Sequence, residues 1–216
     1  MLIKPIKNIK TFLWLLIIFV AMLYASVLIS DITYLTVKKK IGIANNVYIW
    51  PDMFFSLCVM LFVYMFKPFR KCIIFKKVNI RALIYTALIS FLFITLLFLF
   101  GNNIDISNAP EKHINIIFIA LVLKIFVFNP IIVVLILGVF RSILYQVITN
   151  KYLLVVILSL LCALLLGVVS VDNSYHVAIS FLLLCYLGFL REYYNSLTLC
   201  VVAIIMVDLR SLFYFF

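Results

Sequence analysis

The chain has 216 residues, of which 68% are hydrophobic and only 12% are charged, and its mean hydropathy is +1.32. Soluble domains are roughly 45–50% apolar and about 25% charged, because a globule needs a polar shell, so the composition excludes an ordinary soluble domain. The formal net charge of +11 does not indicate nucleic-acid binding. Lysine and arginine collect at the cytoplasmic ends of membrane helices, where they contact anionic lipid.

Apolar runs of about 18–25 residues, separated by short charged segments, predict membrane-spanning helices along the whole chain. The predicted fold class is therefore all-α: a polytopic transmembrane bundle of about seven spans, or roughly six to eight. We expect a single integral membrane domain over residues 1–216, with its N-terminus in the cytoplasm. It divides into an N-terminal three-helix part (1–112) and a C-terminal helical part (113–216).

The first apolar run covers residues 11–30 and follows a segment with three lysines. It is longer than the roughly 7–15 residues of a signal-peptide core, so it predicts an uncleaved first helix. Cleavage near Ala25-Ser26 is the alternative. Residues 31–46 are predicted to form a polar loop on the outside, although the lysine triplet at residues 38–40 opposes the positive-inside rule.

The strongest topological signal is KPFRKCIIFKKVNIR at residues 67–81, which has six basic residues and no acidic residue. We name these residues the basic segment and expect them in the cytoplasm, because positive charge is retained there. The segment lies between predicted spans at residues 47–66 and 82–100. The polar residues 101–113 then fall outside.

The apolar stretch at residues 114–150 is too long for one span of about 20 residues. We predict a fourth span at residues 114–138, with residues 139–150 either continuing it into the cytoplasmic interface or lying along that interface. In the alternative, Asn129-Pro130 breaks the stretch into two half-helices. The remaining spans are predicted at residues 152–169, 177–190 and 197–208.

Three ionisable side chains fall within or close to the predicted bilayer. Lys124 and Asp208 each lie about eleven residues into a span, which at ~1.5 Å per residue is near the midplane. A lysine there must pair, face a cavity or lose its charge, so we predict a Lys124–Asp208 pair. Arg141 can instead extend its guanidinium to the cytoplasmic interface. With Asn129 and Pro130, these are the candidate functional or pairing residues.

The sequence contains no motif of a soluble enzyme and predicts no catalytic residue, cofactor or metal. His113 and His176 lie in predicted outside loops, each near at most one carboxylate, whereas a metal site needs several converging ligands. The five cysteines have no CxxC spacing. We interpret them as small buried hydrophobic residues.

The C-terminal half, from Asn129 to about Leu212, resembles the CPBP family of intramembrane proteases (CAAX-processing and bacteriocin-processing or immunity proteins). That family carries EExxxR, FxxxH and then HxxxN or HxxxD on successive helices. The segments NPIIVVLILGVFRSILY, LLLGVVS and SLTLCVVAIIMVD resemble these in order. Arg141 and Asp208 match the motif arginine and the last acid. The other motif positions hold Ile136, Leu137, Leu166, Ser170 and Ile204.

The resemblance implies a degenerate, non-proteolytic member, because the glutamates and histidines that would bind metal or activate water are absent. The favoured function is a non-catalytic bacterial inner-membrane protein that binds a partner within the bilayer, for example in bacteriocin immunity. Lys124 and Arg141 would orient the partner helix. The expected partners are lipid and a membrane protein or bacteriocin, and not nucleic acid.

Two alternatives remain open. The first is a small transporter or channel component, with a path lined by Lys124, Asn129, Pro130 and Asp208, in which a broken helix would suit substrate binding. The second is a CPBP-type intramembrane protease that uses residues outside the family motifs.

Overall fold

The computed structural model describes residues 9–41, 49–100, 118–119, 121–169, 174–209 and 212. Within these residues every regular element is a helix, so the all-α prediction is confirmed for the part of the chain that the structure describes. The predicted boundary near residue 112 and His113 lie outside the described residues. In chain order the helices are α1 (Ile9–Ile41), α2 (Ile49–Met65), α3 (Lys67–Arg70), α4 (Ile80–Phe100), α5 (Leu121–Leu144), α6 (Lys151–Val169), α7 (Ser174–Tyr194) and α8 (Thr198–Asp208).

Three of these helices are long and apolar enough to cross a membrane. Their apolar windows are Phe12–Ile29 in α1, Leu121–Leu144 in α5 and Val177–Tyr194 in α7. A window of 18 residues rises about 27 Å, close to the ~30 Å hydrocarbon core of a bilayer. Four shorter apolar helices occur in the described residues. The structure is thus compatible with a membrane protein, and the count of about seven spans stays a prediction.

The predicted polar loop at residues 31–46 is wrong for its first part, because α1 continues as helix to Ile41. Neither glycine nor proline occurs between Pro5 and Gly42, so the polar residues after the apolar run contain no helix breaker. The 33 residues of α1 rise about 50 Å, which exceeds the thickness of a hydrocarbon core.

Helix α5 is continuous through Asn129-Pro130 and does not divide into two half-helices. Pro130 has no N–H, and its ring crowds the carbonyl group four residues earlier. The backbone responds by widening into a π-helix at Lys124–Phe128, where the N–H of Asn129 donates to the carbonyl oxygen of Lys124. A second π segment, Leu135–Phe140, precedes Arg141. Such π segments are rare and frequently occur at functional sites.

Helix α5 contributes to both of the larger hydrophobic clusters. One cluster joins it to α1, α2 and α3: the ring of Phe19 stacks on Phe140 at 5.7 Å and meets the edge of Phe69 at 6.1 Å. The other joins it to α6, α7 and α8. The buried members of this second cluster include Val134, Leu137, Leu158, Leu187 and Ala203. The apolar faces on opposite sides of α5 therefore hold the two parts of the chain together.

Helices α5 and α8 are antiparallel, as two contacts at opposite ends show. A Cβ atom added at Gly138 would lie 3.3 Å from Cδ1 of Leu197, just before α8 begins. At the other end, the Asn129 side chain hydrogen-bonds Asp208, the last residue of α8. The absence of a side chain at Gly138 lets α5 approach the chain at the α7–α8 junction closely.

The basic segment lies at the end of the bundle where α1 and α6 begin and where α5 and α7 finish. A cavity of about 20 Å³ is lined by Leu15 of α1, Cys72 of the basic segment and Ser142 of α5, among others. The rings of Tyr152 and Phe189 lie 6.2 Å apart and place the start of α6 beside the last turns of α7. We name this end of the bundle the basic end.

We predict that Gly188→Ala destabilises the fold, because the added Cβ would lie 2.7 Å from Cγ1 of Val155. Both residues are on helices, and a β-branched side chain has little freedom to move. The expected loss is about 1–3 kcal/mol in the free energy of unfolding, measured by thermal unfolding in detergent. Val155→Ala in the same chain should restore most of it. Gly138→Ala is the matched control and should cost less, since its nearest neighbour is the flexible Leu197; equal losses would contradict the steric argument.

Candidate functional site

A buried ion pair joins the last turns of α5 and α7. The Nε atom of Arg141 donates to Oε1 of Glu192, and the two side chains are only 4% and 7% exposed. The Arg141 guanidinium also lies over the ring of Tyr145, 5.6 Å from its centroid. The prediction that Arg141 extends to the interface is therefore wrong: a carboxylate on the neighbouring helix end lets the arginine stay inside the protein.

A second arginine lies beside this pair. Arg191 is 2% exposed, and its Nη1 donates to Oδ1 of Asn195 at 2.9 Å. Its Nε has no hydrogen-bond partner among the described residues. Two guanidinium groups and one carboxylate thus give the buried cluster a net positive charge. Arg191 bonds Asn195, and Glu192 pairs with Arg141.

Asn195 ends α7 and redirects the chain toward α8. Its φ of +46° is in the left-handed region, which asparagine tolerates better than most residues. The next residues contact the basic segment: the N–H of Leu197 donates to the carbonyl oxygen of Ile74 at 2.9 Å. The N–H of Lys76 donates to Oγ of Ser196 at 3.0 Å.

The Thr198 hydroxyl completes this connection, because it donates to the carbonyl oxygen of Lys76 at 2.8 Å. We call these hydrogen bonds between residues 74–76 and 196–198 the loop contact. Both backbone groups of Lys76 are used in it, while the lysine side chain points away and is exposed. The loop contact therefore fixes the basic segment against the α7–α8 junction.

Cys72 lies where the basic segment covers α5. Its side chain is buried and its thiol donates to the carbonyl oxygen of Pro68 at 3.2 Å. Burial raises the pKa of the Cys72 thiol, and a hydrogen bond with Ser142 and the positive charges of Arg141 and Arg191 oppose that rise in part. The thiol is therefore mostly protonated at neutral pH and acts as a small buried hydrophobic group.

The second polar contact lies in α5 toward its beginning. Nδ2 of Asn129 donates to Oδ2 of Asp208 at 2.6 Å, and both residues are partly buried. The described residues give no ion pair between Lys124 and Asp208, so the predicted pair is replaced by the Asn129–Asp208 hydrogen bond. The reason is helical register: α8 ends at Asp208, and Lys124 lies one π-helical turn beyond Asn129 along α5.

Lys124 is partly buried in the first π segment, and Pro130 is buried one residue after the Asn129 amide. No hydrogen bond, ion pair or ring contact from the Lys124 side chain occurs within the described part of the chain. Among the described residues there is also no group of three or more His, Cys, Asp or Glu side chains that could hold a metal ion. The side chain of His176 lies outside what the structure describes.

The structure does not bring the five candidate residues together. Asn129, Pro130 and Asp208 form one site, with Lys124 a turn away, whereas Arg141 belongs to the basic end. Twelve positions separate Asn129 from Arg141 on α5, which corresponds to about 18 Å along a helix axis.

Comparisons of the chain with models of protein families, with curated proteins and with solved structures found no match in any of the three.

Sequence reasoning missed the partners at the basic end: Glu192, Arg191, Asn195 and the hydroxyls of Ser196 and Thr198. One signal was present, because REYYNS follows an apolar run and combines adjacent opposite charges with helix-ending residues. Arg191 and Glu192 directly follow the predicted span at residues 177–190, a position that indicates a helix end and not a buried pair. Their burial depends on α5 and the basic segment, which are distant in sequence.

We predict that Glu192→Gln lowers the free energy of unfolding by about 3–5 kcal/mol, because it leaves the Arg141 charge buried without a counter-charge. Unfolding of the purified protein in detergent measures the loss. The double variant Arg141→Met with Glu192→Leu should recover most of it, since it removes both charges and keeps the volume. Lys151→Gln, an exposed change at the same end, is the control. A Glu192→Gln protein as stable as this control would contradict a role for the pair.

Proposed function

We propose that this chain is a multi-pass protein of a bacterial inner membrane that catalyses no reaction and binds a partner protein within the bilayer. Bacteriocin immunity is one instance of such a role. The observation that carries the proposal is the position of Lys124, a cationic side chain in an apolar span, with no partner in the described part of the chain. An ammonium group within an apolar span favours an acidic group on a neighbouring helix.

The surface around Lys124 suits a partner helix. Phe126, two positions after Lys124 on the same π segment, is 49% exposed, so part of this segment is open to a partner. The apolar windows of α1 and α7 are only 17% and 22% buried, and lipid or a partner must cover the rest. Arg141 no longer belongs to this surface, because it is committed to Glu192 inside the protein.

A non-catalytic role agrees with how the buried polar groups are used. Arg141 pairs with Glu192, and Asn129 pairs with Asp208, so these groups stabilise contacts between helices. We include in the proposal a distant kinship with the CPBP family as a non-proteolytic member. Of the two residues that match its motifs, Arg141 is at the basic end, whereas Asp208 bonds Asn129, twelve positions earlier on α5. A shared catalytic centre would need them within hydrogen-bond reach of one substrate.

A transporter or channel component is the second candidate. The observation that favours it is the polar contact of Asn129 with Asp208 beside Pro130, partly buried within a span that contains two π segments. Polar groups at irregular helix positions in a membrane can line a substrate path. In a transporter or channel component, Lys124 would face the substrate path rather than a partner protein.

Photo-crosslinking tests partner binding through Lys124. A benzoylphenylalanine at position 126 should give a protein adduct in the native membrane, and Lys124→Leu should reduce its yield at least tenfold, because the ion pair is lost, whereas Lys124→Arg should retain it. A crosslinker at Phe91, which is 67% exposed on α4, is the control for random contact. An adduct that Lys124→Leu leaves unchanged, or Lys124-dependent solute flux in proteoliposomes, would contradict partner binding.

Reporter fusions test the proposed orientation. Asn79 is exposed at the basic end, next to the first residue of α4, and a fusion there should report the cytoplasm. A fusion at Asn108, which lies outside the described residues, should report the opposite side. The paired results check each other, since one span of about 20 residues separates the two positions. The reverse pattern would contradict an N-terminus in the cytoplasm.

A further inference from the structure

The exposed basic side chains of the basic segment form a single surface at one end of the bundle. Five of them lie before α4, and Arg81 lies in its first turn. All six side chains are exposed: Lys67, Arg70, Lys71, Lys76, Lys77 and Arg81. Lys151 adds a further exposed charge at the start of α6, which lies at the same end. Such a concentration of positive charge attracts anionic groups strongly.

No carboxylate in the described part of the chain neutralises this surface. Glu192 is the one acidic residue on the described helix ends that meet there, and its side chain is 7% exposed and paired with Arg141. Asp52, at the beginning of α2, and Asp208, at the finish of α8, lie toward the opposite end. The buried Arg191 adds positive charge beneath the surface.

Apolar side chains alternate with these charges. Phe75, immediately before Lys76, is 57% exposed, and Tyr64 and Met65 at the end of α2 are 67% and 76% exposed. The guanidinium of Arg70 lies over the ring of Tyr64 at 5.4 Å. Basic heads beside exposed aromatic and aliphatic groups match a membrane interface, where phosphates and the acyl boundary are only a few ångströms apart. A free anion would not contact the apolar groups.

The backbone that carries these side chains is held in place. The loop contact fixes residues 74–76 against residues 196–198, so the Lys76 side chain projects from a backbone that is bonded on both sides. We propose that the basic segment is a preorganised docking surface for the phosphate head groups of anionic phospholipids. Phosphates are bound by the exposed lysines and arginines, and Phe75 inserts at the acyl boundary. This inference rests on the proposed membrane location and not on partner binding, so loss of the Lys124-dependent crosslink would leave it standing.

Lipid-dependent thermal stability of the full chain in detergent tests this docking surface. Titration with phosphatidylglycerol should raise the unfolding temperature, whereas phosphatidylcholine and inorganic phosphate should not, and 0.5 M salt should weaken the effect. Lys76→Gln with Lys77→Gln keeps every backbone bond and should weaken the apparent affinity for phosphatidylglycerol roughly 10- to 30-fold. Lys151→Gln is the single-charge control outside the segment and should weaken it by less than about fivefold.

A second pair of changes tests whether the surface must be held in place. The double variant Ser196→Ala with Thr198→Val removes two hydroxyl groups of the loop contact and leaves every charge. It should weaken phosphatidylglycerol binding roughly 3- to 10-fold. Equal stabilisation by phosphatidylcholine, or by inorganic phosphate, would overturn the proposal. The proposal would also be overturned if the double variant Lys76→Gln with Lys77→Gln bound phosphatidylglycerol with unchanged affinity. If that protein is not recovered as a single species, Lys67→Gln with Lys71→Gln, further along the same surface, decides by the same criteria.

Discussion

A charge buried in a helical bundle is tolerated when an opposite charge lies within reach, and Arg141 and Glu192 meet this constraint where α5 and α7 converge. The structure of the basic end depends on this pairing. Because Glu192 bonds Arg141, the adjacent Arg191 is left to bond Asn195, whose left-handed backbone ends α7. The chain then turns so that its next residues bond the basic segment. The Arg141–Glu192 pair therefore supports the end of α7, the loop contact and the exposed basic side chains at this end of the bundle.

Helix α5 gives this arrangement its framework. Its two π segments change which residues face its neighbours, so that Asn129 bonds α8 while Arg141 reaches the end of α7. One face of the helix packs in one of the two larger hydrophobic clusters, and the opposite face packs in the other. Proline accounts for the first π segment, since it removes one backbone donor. The second contains Gly138, which lies against Leu197.

Much of the fold was accessible from the sequence because apolar length and charge position are local properties. The runs that predict spans coincide with helices: residues 82–100 with α4, and residues 152–169 with α6. Local reasoning failed at residues 31–41, where polarity indicated a loop although no residue there stops a helix. Polarity describes the solvent that a segment prefers, whereas a helix ends only where its backbone hydrogen bonds are interrupted.

The candidate site was predictable only in part. Depth within an apolar run indicated that Lys124 and Asp208 need partners, and that argument concerns one residue at a time. The identity of the partners depends on which helix faces are opposed. Asp208 bonds Asn129 because the antiparallel register of α5 and α8 ends there. Equal depth in the bilayer was too weak a criterion to choose between Lys124 and Asn129.

The sequence by itself determined that the chain is an apolar, basic protein, that its described residues form helices, and where most of those helices lie, because these properties depend on composition and on periodicity within short segments. Only the tertiary structure decided that Arg141 is buried on Glu192, that residues 74–76 bond residues 196–198, and that basic residues distant in sequence share one end. These contacts join residues 51 to 123 positions apart. No local pattern specifies such a contact, since it exists only once the helices between the two residues have packed.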